Sequence, residues 1–415
     1  MIGAGNRGYE AYGPYALAHP DEIRFVAVAE PHDARRARFA QAHAIPPERQ
    51  FRTWEELVAQ GQIADAALIC TLDRVHTEPT VAALEAGYDV LLEKPMATTL
   101  ADCVRLAQTA ERTQRLLQIC HVLRYTAFFS TLHDIITSGR LGDIITIEHR
   151  ENVSYWHMAH SYVRGNWRNS EIESPMILAK CCHDLDILYW NLGPCVQLNS
   201  FGSLIHYRAE NAPKGAPTRC TDGCPVADDC PWYAPRLYLH DYAGWPVSVI
   251  SEDTSLEARR RALEAGPYGR CVYHCDNNVV DHQTVNMEFE NGATGVLFMH
   301  GHSHEEGRTM RYDGTRATLR GTISGVRNLI EIHDHLTGRV EKMDFAGGII
   351  GHGGGDEGVM TAFVKALRDP GTALTTARES LESHLMAFAA EQARVDDAIV
   401  SMEEFRRRAE TTTEA

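Results

Sequence analysis

Six residues at the start of the chain, Gly3-Ala4-Gly5-Asn6-Arg7-Gly8, have the spacing G-x-G-x-x-G and lead into an apolar helix-like stretch, residues 9–18. Glycines so placed permit a tight turn and let the backbone approach a pyrophosphate at the start of a helix. A β-rich apolar run, residues 23–29, ends at Glu30, 22 residues after Gly8. That is close to the ~20 expected of a carboxylate that binds an adenosine ribose 2′-hydroxyl. Such a carboxylate repels a 2′-phosphate, so NAD is expected over NADP. Arg35 and Arg36 follow on what reads as a solvated helix face.

Three polar clusters lie further along. Lys180-Cys181-Cys182-His183-Asp184-Leu185-Asp186 opens an apolar helical run through Trp190. Residues 152–168 hold two histidines, two arginines and four aromatics. Aromatic faces and fork-shaped donors suit sugar rings, so His157, His160, Arg164 and Trp167 are expected at or near a substrate pocket. Cys220, Cys224 and Cys230 cluster in a loop rich in Asp and Pro, with Cys271 or Cys275 as a candidate fourth. Four thiolates suit structural zinc. The spacing is not a common finger pattern, and chance or a disulfide stays open as an alternative.

The elements that must position these groups alternate. Helices are expected over 33–44, 54–60, 77–86 and 100–112, and strands over 64–71, 88–92 and 116–120. Alternation implies a parallel, doubly wound sheet, whose ligands bind at the strands' carboxyl ends. Thr71, Glu93, Lys94 and His121 fall at such ends. Only Met1 and Ile2 precede the glycine turn, whereas a strand ordinarily has about five or six residues. The central first strand is therefore expected to be truncated, either by a misplaced start or in an impaired copy. Beyond Arg124 the rhythm changes to a helix over 128–138 and a strand over 144–153. Residues 285–300 alternate on both sides of Asn291-Gly292, a strong hairpin signal, which implies an antiparallel sheet. Two domains are expected, residues 1–122 and 123–415, with a helix at about 378–398 packing back on the first.

Composition excludes several classes. The chain of 415 residues carries 40 Lys and Arg against 56 Asp and Glu, a net charge of −16, which argues against a nucleic-acid partner. No apolar stretch approaches the ~18 residues of a membrane helix, and no basic-then-apolar leader precedes the first motif. Eleven cysteines at uneven spacings do not read as a secreted disulfide scaffold, so cytoplasm is expected.

The glycine turn, residues 71–76 (TLDRVH), the AALEAG helix end and Glu93-Lys94-Pro95-Met96 together resemble the N-terminal half of the Gfo/Idh/MocA oxidoreductases. The resemblance continues through most of the chain, including residues 384–391. It implies a Rossmann domain followed by an α+β domain with a large, mostly antiparallel sheet, the substrate lying between that sheet and a nicotinamide. It implies cofactor contacts from Gly3, Gly5, Asn6, Arg7, Gly8, Glu30, Thr71, His76, Glu93 and Lys94. It further implies hydride transfer between nicotinamide and a secondary carbinol, with Lys94 polarising the oxygen and His183 moving its proton. Where the family has an Asp-x-x-x-His segment, this chain has Ala179 four residues before His183, so Lys180 and Asp186 are the nearby polar alternatives. His121 and Arg124 complete the expected substrate contacts. The implied function is NAD-dependent oxidation or reduction of a sugar, cyclitol or glycoside by a homo-oligomer. Alternatives are an NAD-dependent glycosidase that oxidises transiently and eliminates, and a non-enzymatic NAD- or sugar-sensing protein.

Overall fold

The computed structural model describes residues 1–346 and 350–412. Five short strands, β1 (Val28–Ala29), β2 (Gln50–Phe51), β3 (Ala66–Ile69), β4 (Asp89–Leu92) and β5 (Leu117–Ile119), form two parallel ladders, β2-β1 and β3-β4-β5. Ile2 joins them, bridging Ala29 on one side and Ile69 on the other. Its amide donates to the Leu68 carbonyl at 2.8 Å and its carbonyl accepts from Cys70 N at 2.8 Å. The lane order β2-β1-Ile2-β3-β4-β5 is that of a doubly wound dinucleotide-binding sheet, reversing between Ile2 and β3. The first strand is as short as expected, yet two residues with satisfied backbone groups close the sheet. β2 is invisible in the sequence because two residues between Arg49 and Arg52 carry no periodicity.

Local chemistry sets the helix starts. The Thr53 side chain and Glu56 form a capping box before Trp54–Val58, and Thr99 caps Leu100–Thr113 by accepting from Asp102 N.

The second sheet has nine strands: β6 (Ile144–Ser154), β7 (Cys195–Ser203), β8 (His282–Phe289), β9 (Thr294–Ser303), β10 (Gly307–Gly314), β11 (Ala317–Ser324), β12 (Asn328–Asp334), β13 (Val340–Asp344) and β14 (Val400–Ser401). Their order is β13-β12-β11-β10-β6-β9-β8-β7-β14, antiparallel throughout except β6 against β9. Asn291-Gly292 turns β8 into β9, and Gly292 takes the left-handed φ of +82° that the turn requires. Val285, Met287, Leu297 and Met299 alternate inward onto helix-covered core, leaving Asn286, Glu288 and Thr294 on an open face.

Residues 204–281 connect β7 to β8 through short helices around a small core of Cys220, Ala234, Tyr238, Val247 and Leu263. After β13 the chain returns to the first sheet. Helix Gly355–Arg368 packs on the glycine turn, Ile119 N donates to Thr375 O at 2.8 Å beside β5, and helix Ala377–Asp396 lies on Leu100–Thr113. No described helix is long and apolar enough to cross a membrane.

Candidate active site

The three glycines of the turn have separate physical roles. Gly3 has φ +86°, and a Cβ there would lie 2.6 Å from the Cys70 carbonyl oxygen. A Cβ on Gly8 would press into the Gly3 carbonyl, so this glycine lets helix and strand approach. Around Gly5 nothing lies within 4 Å, which leaves its backbone open to a ligand. Asn6 follows, leading into the helical turn Arg7–Tyr12. The Glu30 carboxylate is buried at the end of β1 and accepts from Ala4 N at 2.8 Å and His32 N at 3.0 Å. Thr71 Oγ1 is buried and has no hydrogen-bond partner among the described residues. An open glycine backbone, a carboxylate at the second lane and an unsatisfied hydroxyl across the reversal fit a dinucleotide.

Arg7, Glu93 and His76, expected to touch the cofactor, are committed to protein instead. Arg7 Nε binds Glu93 Oε1 at 2.6 Å, and its terminal nitrogens reach Asp356 at 2.7 Å and Tyr12 Oη at 2.7 Å. Burial alone would raise the Glu93 pKa, but Arg7 and Lys94 hold it below the usual carboxylate value. His76 bonds the Pro95 carbonyl at 2.8 Å and the Thr71 carbonyl at 3.3 Å. These three side chains brace the loops that would surround the cofactor.

Lys94 and His183 meet across the domains. Lys94 Nζ donates to the Ala179 carbonyl at 3.2 Å, so the backbone receives the lysine at the very position where the family's aspartate is missing. His183 is 4% exposed, and neither ring nitrogen has a partner among the described residues. Burial, then Lys94 and His121, push its pKa well below the ordinary histidine value, so the ring is neutral. His121 stands edge-on to it at 5.6 Å, and His352 lies tilted to it at 6.2 Å between ring centroids. His121 itself is fully buried, with Ser383 Oγ 3.4 Å from Nε2. Arg124 and Asp186, expected to bind substrate, form a buried bidentate pair at 2.8 and 2.7 Å and so neutralise each other.

Beside this centre lies a wall of paired charges. Lys180 Nζ is 3.0 Å from Glu306 and 3.3 Å from Glu151. Arg308 joins Glu151 at 2.5 Å and Asp184 at 2.7 Å, and Asp184 also accepts from His149 at 2.8 Å. Burial opposes the Asp184 charge, yet Arg308 and His149 hold its pKa below the usual range. His157 Nδ1 is 2.9 Å from Glu306 Oε1, while Nε2 has no hydrogen bond among the described residues. Burial lowers the His157 pKa, Glu306 offsetting only part of the effect. Trp245 lies edge-on to this ring at 4.9 Å.

The rest of the 152–168 cluster turns elsewhere. His160 bonds Tyr238 Oη at 2.9 Å and stacks on Tyr268. Arg164, wholly buried, donates to the carbonyls of Arg270 and Trp232, both at 2.7 Å. Both hold the 204–281 segment rather than line the cleft. Trp167 Nε1 donates to Asp73 Oδ2 at 2.7 Å, tying the second domain to the loop of residues 71–76.

The zinc expectation gains no support. All eleven cysteines are unlinked thiols, and no group of three or more metal-ligating residues is placed to hold an ion among the described residues. An Arg164 nitrogen lies 3.6 Å from Cys220 Sγ, putting a cation beside one expected ligand. Cys224 and Cys230 are half-buried in the outer loop.

Sequence reasoning missed Glu151, Glu306, Arg308, His352 and Asp356. Glu151 and Arg308 had a signal: each is a charge at an inward position of an alternating strand. Glu306 had a weaker one, an acidic pair at the β9–β10 turn.

Comparison with known proteins supplies the rest. Residues 1–121 match the family described as oxidoreductase family, NAD-binding Rossmann fold, and residues 133–402 match its C-terminal alpha/beta domain. An oxidoreductase of Bacillus subtilis (strain 168) is 23% identical over 288 residues, 66% of this chain and 62% of the relative. Glycosyl hydrolase family 109 protein 2 of Phocaeicola vulgatus is 32% identical over 152 residues, 36% of this chain and 37% of that one. Inositol 2-dehydrogenase 2 of Saccharopolyspora erythraea is 29% identical over 168 residues, 40% of this chain and 46% of that one. The matches thus span less than two thirds of these curated relatives. Among solved structures, an Agrobacterium radiobacter oxidoreductase with NAD+, L-tartaric acid and magnesium aligns over 97% of both chains, with a TM-score of 0.69 at 15% identity. The WlbA dehydrogenase of Bordetella pertussis with NADH and UDP-GlcNAcA aligns over 96% of this chain and 97% of that one, TM-score 0.66 at 16% identity. With both family domains matched in order over nearly its whole length, the chain belongs to the Gfo/Idh/MocA oxidoreductase family.

Proposed function

We propose that this chain is an NAD-dependent oxidoreductase acting on a secondary hydroxyl of a sugar, cyclitol or glycoside, with residues 1–122 binding the cofactor and 123–415 the substrate. The observation that carries the reading is the neutral, buried His183, with both nitrogens unpartnered beside the Lys94 ammonium, at the carboxyl edge of a dinucleotide-type sheet. NAD, when bound, accepts or returns the hydride. Gly5 would give its pyrophosphate a close backbone approach in a turn that Gly3 and Gly8 allow to form, Glu30 would take the adenosine ribose and Thr71 would add a hydroxyl. Lys94 stabilises the alkoxide as the hydroxyl proton leaves. His183 accepts that proton, and the bulk of His121 behind it excludes water. Lys180 and His157, held by Glu306, bind further hydroxyls.

The test is a panel of sugars, cyclitols and methyl glycosides with purified protein and NAD, read by absorbance of reduced nicotinamide and by product analysis. Turnover of a polyol with formation of NADH supports the reading, and a protein that binds no dinucleotide refutes it.

One observation favours a second reading, glycoside cleavage through transient oxidation. His157 is oriented by Glu306 much as a general base is oriented by a carboxylate, and an elimination needs a second proton-handling group. Glycoside turnover with no net NADH would select it. Eleven unlinked thiols fit a reducing, cytoplasmic setting, and the open face of the nine-stranded sheet is where two copies would pair, testable by sedimentation.

A further inference from the structure

The glycine turn and Glu30 account for an adenosine ribose, but they leave an electrostatic problem beside it. Helix Asp33–Ala42, which follows Glu30, carries three arginines in its first two turns. Arg36 is spent within the first domain, on the Glu30 carbonyl at 2.7 Å and on Asp33. Arg35 and Arg38, three residues apart and so on one helix face, have no acidic partner there among the described residues. Arg38 lies over the Tyr9 ring, 4.1 Å from its centroid, so this face adjoins the residue just after Gly8. Two guanidinium forks beside a ribose site are a ready receptor for a 2′-phosphate, which carries about −1.5 to −2 charges at neutral pH. Left free, they would oppose the selection that Glu30 makes.

They are not left free. Glu252, from the 204–281 segment of the other domain, reaches across to Arg35, with Oε1 2.6 Å from Nε, and its Oε2 lies 3.9 Å from Arg38 Nη1. We propose that Glu252 is a specificity-determining residue of the dinucleotide site: it occupies the Arg35 fork, adds a negative charge to the helix face that follows Glu30, and so excludes a 2′-phosphate. The inference rests on the dinucleotide part of the proposed function and extends it, because cofactor choice then depends on both domains. The same 204–281 segment places Trp245 against His157 and Glu252 against Arg35, so it joins the substrate end of the cleft to the adenosine end. Arg35, Arg38 and Glu252 have side chains 38%, 41% and 35% exposed. A surface pair of this kind contributes little to folding, so removing it can change ligand choice without unfolding the protein.

The experiment is calorimetric titration of NAD+ and NADP+ into wild type, Glu252→Gln and the double variant Arg35→Ala/Glu252→Gln, at low and high salt, with thermal melts as a folding control. Glu252→Gln is expected to tighten NADP+ about tenfold, equivalent to ~1.4 kcal/mol, and to leave NAD+ within about threefold. The gain should vanish in the double variant and shrink as salt screens the exposed arginines. An unchanged NADP+ affinity overturns the inference. So does an equal shift for both dinucleotides, which would make Glu252 a mere latch, or a gain that survives loss of Arg35. If wild type binds neither dinucleotide, the proposed function falls and this inference with it. If NAD+ binds and only the ratio refuses to move, the inference alone falls.

Discussion

The glycine turn and the charge wall both adjoin the Lys94–His183 centre and are built by opposite means. The turn is made of backbone: Gly3, Gly5 and Gly8 work by lacking a side chain, and Ile2, Ala29 and Ile69 hold it through short ladders. The wall is made of charged side chains from three separated places, Glu151, Lys180 with Asp184, and Glu306 with Arg308, each largely buried and each compensating another. A backbone site fails by steric intrusion at one position. A buried charge network fails when any member leaves its partner uncompensated. The first can be read along the chain, whereas the second exists only after distant segments meet.

The largest test falls on the two residues of that shared centre. Lys94→Ala should lower turnover on the order of 10²-fold, and His183→Ala by ~10²–10⁴-fold, while both still bind NAD in titration. Acting on one oxygen, the pair should be non-additive, the double variant little worse than the poorer single. Near wild-type turnover in the His183 variant would move the proton role to Lys94 or Lys180.

Next comes the wall's dependence on complete pairing. Arg308→Ala strips Asp184 and Glu151 of their shared cation, and denaturant melts should show a loss of about 3–5 kcal/mol. A loss as small as that of an exposed arginine would erase the distinction drawn above.

Acid should act on the histidine-rich interior before it reaches Asp184. His160 and His384 are held neutral with pKa values pushed down to about 3, and His121 and His183 are also held well below their ordinary value, burial being the main cause throughout. Unfolded histidines take up protons below roughly pH 6.5 while these folded ones do not. Stability should therefore fall as pH drops from there, by about 1.4 kcal/mol per pH unit for each. The Asp184 contribution has the same sign but a lower window: its folded pKa is depressed, so its stabilisation is lost only as pH falls below about 4. Melting temperatures flat from pH 7 to 5 would contradict this.

The smallest effect sharpens the turn itself. Gly8→Ala should destabilise by about 1–3 kcal/mol because its Cβ meets the Gly3 carbonyl. Gly5→Ala, facing open space, should stay within about 0.5 kcal/mol in melts yet weaken NAD binding. Equal melting shifts would show that the two glycines are not doing separate jobs.

How much could be read in advance follows the same division. Glu30, the glycine turn and the Asn291-Gly292 hairpin announce themselves through spacing and turn chemistry acting over a few residues. Arg164 misled because an arginine among aromatics reads as a binding group, whereas its fork is consumed by carbonyls of residues more than sixty positions away. Arg124 and Asp186 misled likewise: each is polar and well placed, but they complete one another. Cys220, Cys224 and Cys230 gather in one loop of the sequence, yet Cys220 is turned toward Arg164 rather than toward the other two as a ligand set.

The return of the chain to β5 bears on how the molecule is made. Residues Thr375 and Thr376 pair beside Ile119 and Gln118, and helix Ala377–Asp396 covers Leu100–Thr113. During synthesis the parallel sheet is complete in sequence long before these residues are added. Until then β5 presents an unpaired edge, the kind of template on which other strands add. A chain cut short in the second half would thus carry a first domain with every proposed cofactor residue before His121 in place and its border still adhesive.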